Sequence, residues 1–409
     1  MMNKERNQKS ALWIVIAIVL LNSIGMTIVI PLLPFLVGQY LPESQVVVGM
    51  SVLMSIFAAC TFFAAPFLGA LSDRYGRKKI LIASLLGSTA GYILFGIGGA
   101  LWVLFLGRII DGLTAGNISA LFAYISDSTK PEERTKWFGY VGAASGIGFM
   151  GGPALGGWLG SISLPLPFFV TASLIFLSAL CTLLFLPESL AVENRSKELS
   201  FKKISMVANF KDIFSVKEVN RLLLLGAFFA IGIGIYQTNA TIFLKDVFHW
   251  GPALIGSLLA WVGVCDILSR AVLLPLLLKK FSERTIGVAG LIGLALGLGA
   301  IFLSTYFPSG YLMIIAVVLI TIGEGLFDPS FNGNLSKSVD DSQQGKLQGV
   351  NQSLQSIYRV LVPLVVAGIY VYSPGVLYAV ATFIALAAVL VYAKILPQPL
   401  PAQQPNGNA

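Results

Sequence analysis

Gly69-Ala70-Leu71-Ser72-Asp73-Arg74-Tyr75-Gly76-Arg77-Lys78-Lys79 packs five charges and two glycines into a short turn. The apolar segments on either side are each long enough to cross a bilayer as a helix. An acid near the start of so tight a turn, with a basic cluster near its end, predicts a cytoplasmic hinge between antiparallel spans.

The rest of the chain supports that reading. Only 11% of residues are charged and 56% are hydrophobic, with mean hydropathy +0.83. Soluble globular chains carry roughly 25% charged residues, so this one is built to be solvated by lipid. Apolar runs predict helices over 11–37, 46–71, 80–98, 102–124, 137–159, 166–186, 220–244, 253–278, 285–304, 310–335, 347–371 and 375–394. The fold class expected is therefore all-α integral membrane, with twelve transmembrane helices in two six-helix bundles. The bundles span 1–186 and 220–396, joined by a cytoplasmic loop at 187–219 and followed by a flexible cytoplasmic tail at 397–409. The first run is too long for a signal-peptide core and lacks a small-residue cleavage site, so it reads as a retained helix.

Lysine and arginine set the orientation. Of 27 such residues, 23 fall at the N-terminus, in the even-numbered connections or in the tail, and Lys245 alone lies in an odd one. Both termini are then cytoplasmic. The net charge of +8 is topological and calls for no nucleic-acid partner. Cys60, Cys181 and Cys265 stand singly in apolar runs, and His249 is the one histidine. Neither a disulfide framework, a metal site nor histidine catalysis has the residues it needs. No G-x-x-x-x-G-K-S/T loop supplies nucleotide binding, so no cofactor is expected, and the chain does not read as an enzyme.

A shift of 210 residues aligns Ser126–Gly139 with Ser336–Gly349 without a gap, and Pro153 with Pro363. Two homologous halves are implied. Glycines at 148, 152 and 156 repeat every four residues, which cuts a groove for close helix approach. Pro153 beside them bends the helix. Gly148, Gly152, Pro153, Gly156 and Gly157 are read as a hinge or seal at the interface between halves.

The opening stretch resembles the loop signature G-x-L-A/S-D-R-F/Y-G-R-R/K-R/K of the major facilitator superfamily. Gly139, with the five residues just named, is similar to the fifth-span signature of the superfamily's drug:proton antiporter branch. Gly25 to Pro34 and Leu106-Gly107-Arg108-Ile109-Ile110-Asp111-Gly112 resemble two further motifs of that branch, and the first half and Gly345–Gly349 look most like tetracycline exporters. The resemblance implies a major facilitator fold and proton-coupled export of small amphipathic molecules by a monomer in a bacterial inner membrane. One departure stands out: where tetracycline exporters commonly carry an acid in span one, this chain reads Leu20-Leu21-Asn22.

Ionisable residues inside spans are functional candidates by default. Arg108 with Asp111 forms either a proton-coupling site or a fixed pair. Glu324 with Asp328 forms either a proton or cation site or a neutralised network, and Asp266 is either Arg270's partner or a third coupling acid. Gly69, Asp73, Arg74, Gly76 and Arg77 are read as a conformational latch, Asp73 bonding a helix N-terminus or Arg77 across the interface between halves in one state. Pro187-Glu188-Ser189 reads as a helix stop. Asn22, Asn117, Tyr236, Gln237, Asn239, Arg270, Phe327, Phe331, Asn332, Gln355, Tyr358 and Arg359 are candidates for the substrate wall. The leading reading is drug export. The alternative is export of an endogenous anion or siderophore, motivated by three intramembrane arginines; a nutrient importer and a membrane-embedded enzyme fit less well.

Overall fold

Lipid offers no partner to a backbone N–H or C=O, so apolar segments close their own hydrogen bonds as helices. The computed structural model describes residues 2–115, 118–196, 217–339 and 344–395, which contain helices and no strand. In chain order they are α1 (Met2–Ile28), a 3-10 turn (Ile30–Leu32), α2 (Leu33–Val37), α3 (Glu43–Tyr75), α4 (Arg77–Ile97), α5 (Leu101–Thr114) and α6 (Ile118–Ser128). There follow α7 (Pro131–Ile162), α8 (Leu166–Phe185), α9 (Lys217–Phe248), α10 (Pro252–Leu268), a π turn (Ser269–Leu273), α11 (Leu274–Leu278), α12 (Glu283–Ser304), α13 (Gly310–Ser336), α14 (Gln344–Tyr372) and α15 (Pro374–Ile395). Among the described residues, ten segments are long and apolar enough to cross a membrane. The remaining two expected crossings fall on α5 with α6 and on α7. Most of the central loop and the tail lie outside the described residues.

Besides the span divided between α5 and α6, two expected helices are interrupted. The span at 11–37 breaks at a 3-10 turn because Pro31 and Pro34 each lack an N–H for the ladder. The span at 253–278 widens to i→i+5 bonding at Ser269–Leu273, a device often found where a side chain must be re-aimed. Other helices run a few residues past their apolar cores into polar ends, as α3 and α7 do. Pro153 and Pro363 both sit inside helices, α7 and α14, as the 210-residue repeat requires.

The two halves meet along two seams, α7 with α10 and α3 with α14. On the first, a Cβ on Gly157 would lie 2.8 Å from the Gly256 Cα and 2.3 Å from the Pro252 carbonyl oxygen. Trp158 Nε1 donates to Ser257 Oγ at 3.0 Å. On the second, Ser55 Oγ donates to the Val360 carbonyl at 2.7 Å. These contacts lie toward the end opposite the Arg74–Lys79 cluster. Toward the basic end, a Cβ on Gly139, Gly142 or Gly349 would meet open space. The α7–α10 seam runs on to Gly263, whose Cβ would lie 2.7 Å from Met150 Cβ, and among the described residues the contacts between halves thin toward the basic end, the more open of the two.

The glycine stripe has a different neighbour from the one expected. Cβ atoms on Gly148, Gly152 and Gly156 would strike Ser23, Thr27 and the Ile28 carbonyl, all on α1. The stripe therefore binds α7 to α1 within the first half. Gly157, one residue round the helix, makes the contact between halves.

Candidate functional site

The loop that opened the sequence folds around Arg77. Gly76 joins α3 to α4 at φ +104, a conformation side chains disfavour, and a Cβ there would lie 2.3 Å from Glu188 Oε2. Arg77 is buried; its Nε donates to Asp127 Oδ2 at 3.1 Å, and its Nη1 donates to Ser72 Oγ at 2.7 Å and to Asp73 Oδ1. Its backbone N–H donates to Glu188 Oε1 at 2.9 Å, so this carboxylate caps the N-terminus of α4, where negative charge is favoured. Helix α8 does stop before Pro187, as expected, but Glu188 also ties that stop to the loop. Arg74 lies over its own neighbour, the Tyr75 ring, at 5.4 Å, and the Gly69 carbonyl accepts from Ser72 Oγ at 2.8 Å. The expected latch across the interface is not what this conformation holds: Asp73 bonds Arg77 inside its own half, because α6 and the segment after α8 supply the other partners. A lysine at 77 cannot bridge Asp127, Asp73 and Ser72 together. Arg77→Lys is expected to slow transport about tenfold, consistent with losing one charge-assisted hydrogen bond of about 1.5 kcal/mol, with normal membrane insertion, measured as uptake into vesicles against protein content.

Arg108 and Asp111 are both 5% exposed, with Nη1 to Oδ2 at 3.5 Å. The guanidinium lies between the Phe57 ring at 4.9 Å and the Phe95 ring at 5.0 Å, an arrangement that stabilises a desolvated cation. Backbone of α4 closes over the acid, since a Cβ on Gly91 would sit 2.9 Å from Asp111 Cβ. Of the two readings, this geometry suits the fixed internal pair.

The second half carries a more open cluster. Arg270, within the π turn, donates from Nε to Asp266 Oδ1 at 2.8 Å and from Nη1 to Asp328 Oδ2 at 3.1 Å. All three side chains are about one-third exposed. Gly325 lets the turn approach α13, as its Cβ would fall 2.6 Å from Ser269 Oγ. Asp328 also accepts from Asn332 Nδ2 at 3.0 Å, and Asn351 Nδ2 donates to Asn332 Oδ1 at 3.3 Å. One turn away, Glu324 accepts from the exposed Gln237 at 3.4 Å and forms no ion pair among the described residues. Two carboxylates thus share one guanidinium, and a third stands beside them without a counter-charge of its own. Removing it by Arg270→Gln strands two acids, and a tenfold loss of transport is expected, partly restored by Asp266→Asn; a double-mutant cycle measures the coupling.

Several expected wall residues are placed elsewhere. Phe327 and Phe331 are fully packed, stacked at 5.5 Å with Phe229 and Tyr392 around them. Tyr236 and Asn239 are buried at 5% and 0% exposure. These four belong to the packed interior of the second half. Asn22, Gln355 and Tyr358 are half-buried, and Gln352 and Arg359 are exposed. Gln352, Gln355 and Arg359 fall on one stripe of α14, which suits water or protein better than lipid. Asn117 lies outside the described residues. Sequence reasoning missed Asp127, Glu188, Gly256 and Gly325. A glycine opposite another glycine, and an acid after a helix stop, were their available signals.

The model of the Major Facilitator Superfamily matches residues 15–363 and 276–408. A tetracycline resistance protein, class D, of Salmonella ordonez is 37% identical over 87% of this chain and 89% of its own. Multidrug resistance protein 2 of Bacillus subtilis is 30% identical over 88% and 89%. Among solved structures, a bacterial homologue of the human lysosomal transporter Spinster, inward-facing and occupied, superposes with a TM-score of 0.74 at 15% identity, covering 96% of this chain and 99% of its own. This multi-pass chain, with its paired bundles and basic hinge loop, belongs to the Major Facilitator Superfamily.

Proposed function

We propose that the protein exports small amphipathic organic molecules of tetracycline type in exchange for protons, by alternating access across a bacterial inner membrane. The observation that carries this is Glu324, half-buried beside an arginine already claimed by two other acids. With all three carboxylates ionised the cluster would hold two net negative charges at mid-membrane depth, an expensive state. A proton on Glu324, or a cationic group of a substrate, relieves it. Competition of the two for one carboxylate is the minimal device for antiport.

Orientation follows from the basic excess: the more open end is cytoplasmic, both termini lie there, and the opposite end is sealed at Gly157–Gly256. The conformation is inward-facing, ready to take substrate from the cytoplasm. Relatives named for tetracycline and multidrug resistance support the substrate class. The anion reading keeps only Arg359 of its three arginines, because Arg108 is sequestered with Asp111 and Arg270 is paired twice. A monomer contains every group invoked.

The test is purified protein in liposomes with an imposed pH gradient, offered tetracycline, a lipophilic cation and a polycarboxylate. Gradient-dependent movement of tetracycline or the cation is expected. Movement of the polycarboxylate alone would overturn the proposal.

A further inference from the structure

Two of the charges inside the spans are left over once the ion pairs are drawn. Arg108 takes Asp111, and Arg270 takes both Asp266 and Asp328. Glu324 and Arg359 remain, one of each sign, and neither forms an ion pair among the described residues.

Both face the space between the halves. On α14 the exposed apolar side chains Ile357, Leu361, Leu364 and Val365 share one face, the face turned to lipid. At about 100° per residue, Arg359 stands about 160° round the helix from Leu361, yet it is exposed as well. Two contacts define what it faces. Helix α3 of the first half packs at Val360, whose carbonyl accepts from Ser55 Oγ at 2.7 Å. Helix α9 packs at Val362, where a Cβ on Gly234 would fall 3.1 Å from Val362 Cγ1. Arg359 projects between these neighbours, into the gap between the halves. Gln237 on α9 opens onto a cavity for a similar reason. It is exposed although Ile235, Tyr236 and every residue from Thr238 to Leu244 are buried. Its amide donates to Glu324 Oε1 at 3.4 Å, which places Glu324 at the edge of that cavity.

The two charges stand at different depths. Helices α9 and α14 run parallel, with Gly234 against Val362 and, further along, Asp246 accepting from Tyr370 at 3.2 Å. Arg359 precedes Val362 by three residues, and Gln237 follows Gly234 by three. Those six residues of helix rise about 9 Å, with Arg359 nearer the basic end. The pair is not in contact, and a single organic molecule can span it. A guanidinium exposed at this depth needs water or a ligand. Its planar fork matches a carboxylate in two parallel hydrogen bonds, and Gln355, one turn earlier on the same stripe, adds an amide.

We propose that Glu324 and Arg359 are the two poles of the substrate site, and that the substrate class is zwitterionic. A basic group of the substrate lies at Glu324, an acidic oxygen group such as a carboxylate or phenolate lies on Arg359, and the apolar body bridges them. Such a molecule supplies both missing counter-charges while adding no net charge to the site. This rests on the export reading above and adds to its site an anionic subsite on the other wall.

The experiment compares rhodamine B, which carries a xanthylium cation and a free carboxylate, with its ethyl ester, which keeps only the cation. Binding to the purified full chain is read by fluorescence anisotropy at neutral pH. Wild type is expected to hold rhodamine B at least tenfold more tightly than the ester. Arg359→Gln should weaken rhodamine B about tenfold and leave the ester within twofold, so the ester reports that the fold is intact. Arg359→Lys, which keeps the charge without the fork, should recover part of the preference. Glu324→Gln should weaken both dyes alike. Equal affinity for the two dyes in wild type, or binding of neither, overturns the two-pole site. So does Arg359→Gln that weakens both dyes equally, which would make the arginine structural, or Glu324→Gln that alters neither. Transport is read separately in liposomes with an imposed pH gradient. Wild type that moves neither dye but keeps an Arg359-dependent preference in binding would sink the export reading and leave the two-pole site standing.

Discussion

Leucine in place of Gly157 is expected to reduce transport at least a hundredfold while leaving the protein inserted and folded. The atoms a side chain would meet there are backbone: the Pro252 carbonyl oxygen, Gly256 Cα and Gly256 N, at 2.3, 2.8 and 3.1 Å. From the facing helix, a Cβ on Gly256 would meet the Pro153 carbonyl oxygen at 2.4 Å. No flexible side chain stands in the way that could turn aside. The bundles must separate at that end, and overpacking of this kind costs about 3 kcal/mol. Charged to one conformation only, that is about a 100-fold shift of the equilibrium, away from the inward-facing state and toward one open outside. Each bundle stays whole, because Gly157 is not on the face that binds α7 to α1. The check is alkylation of a cysteine introduced at Gly349, which is open in the present state: its labelling should fall in Gly157→Leu along with transport. Gly151→Ala, where a Cβ meets nothing within 4 Å, should behave as wild type. Unchanged labelling with lost transport would mean the contact is not a gate.

What could be read from the chain divides along a physical line. Crossings, connections and the sharp turn at Gly76 depend on local composition, and hydropathy with lysine placement suffices for them. The break at Pro31 and Pro34 is local too, yet hydropathy does not show it because the run stays apolar through both prolines. The facing of a residue at mid-span is another matter. Phe327, Phe331, Tyr236 and Asn239 have the composition of a binding wall, but a helix inside a bundle is apolar nearly all round, so periodicity does not separate cavity from core. The α7 stripe announces a groove and not the helix that fills it. Glu188 caps a helix that starts 111 residues earlier in the chain, beyond any local signal. The π turn answers a tertiary demand: Arg270 must reach both Asp266 and Asp328, and nothing in the sequence from Ser269 to Leu273 encodes that.

Glu324→Gln is expected to abolish gradient-driven transport while sparing exchange, and the reason lies in how the three acids are held. Asp266 and Asp328 are each bonded to Arg270 at ordinary ion-pair distances of 2.8 and 3.1 Å, so each has a direct counter-charge. Glu324 accepts a long bond of 3.4 Å from an uncharged amide. It is the carboxylate whose charge is least compensated by a direct partner, and the one whose protonation relieves the cluster. Glutamine fixes the neutral form without altering shape. A site that no longer titrates still binds substrate and still rocks between states, so radiolabel exchange at equal pH should stay within about threefold. Accumulation driven by a pH gradient should drop to background, at least thirtyfold, because the proton's free energy no longer reaches the substrate. Asp328→Asn ought to behave differently: it removes one anchor of Arg270, and both exchange and driven transport should fall together. If Asp328→Asn were the variant that separates the two activities, the coupling role would pass from Glu324 to the ion-paired acid, and the charge count at the cluster would have to be redrawn around it.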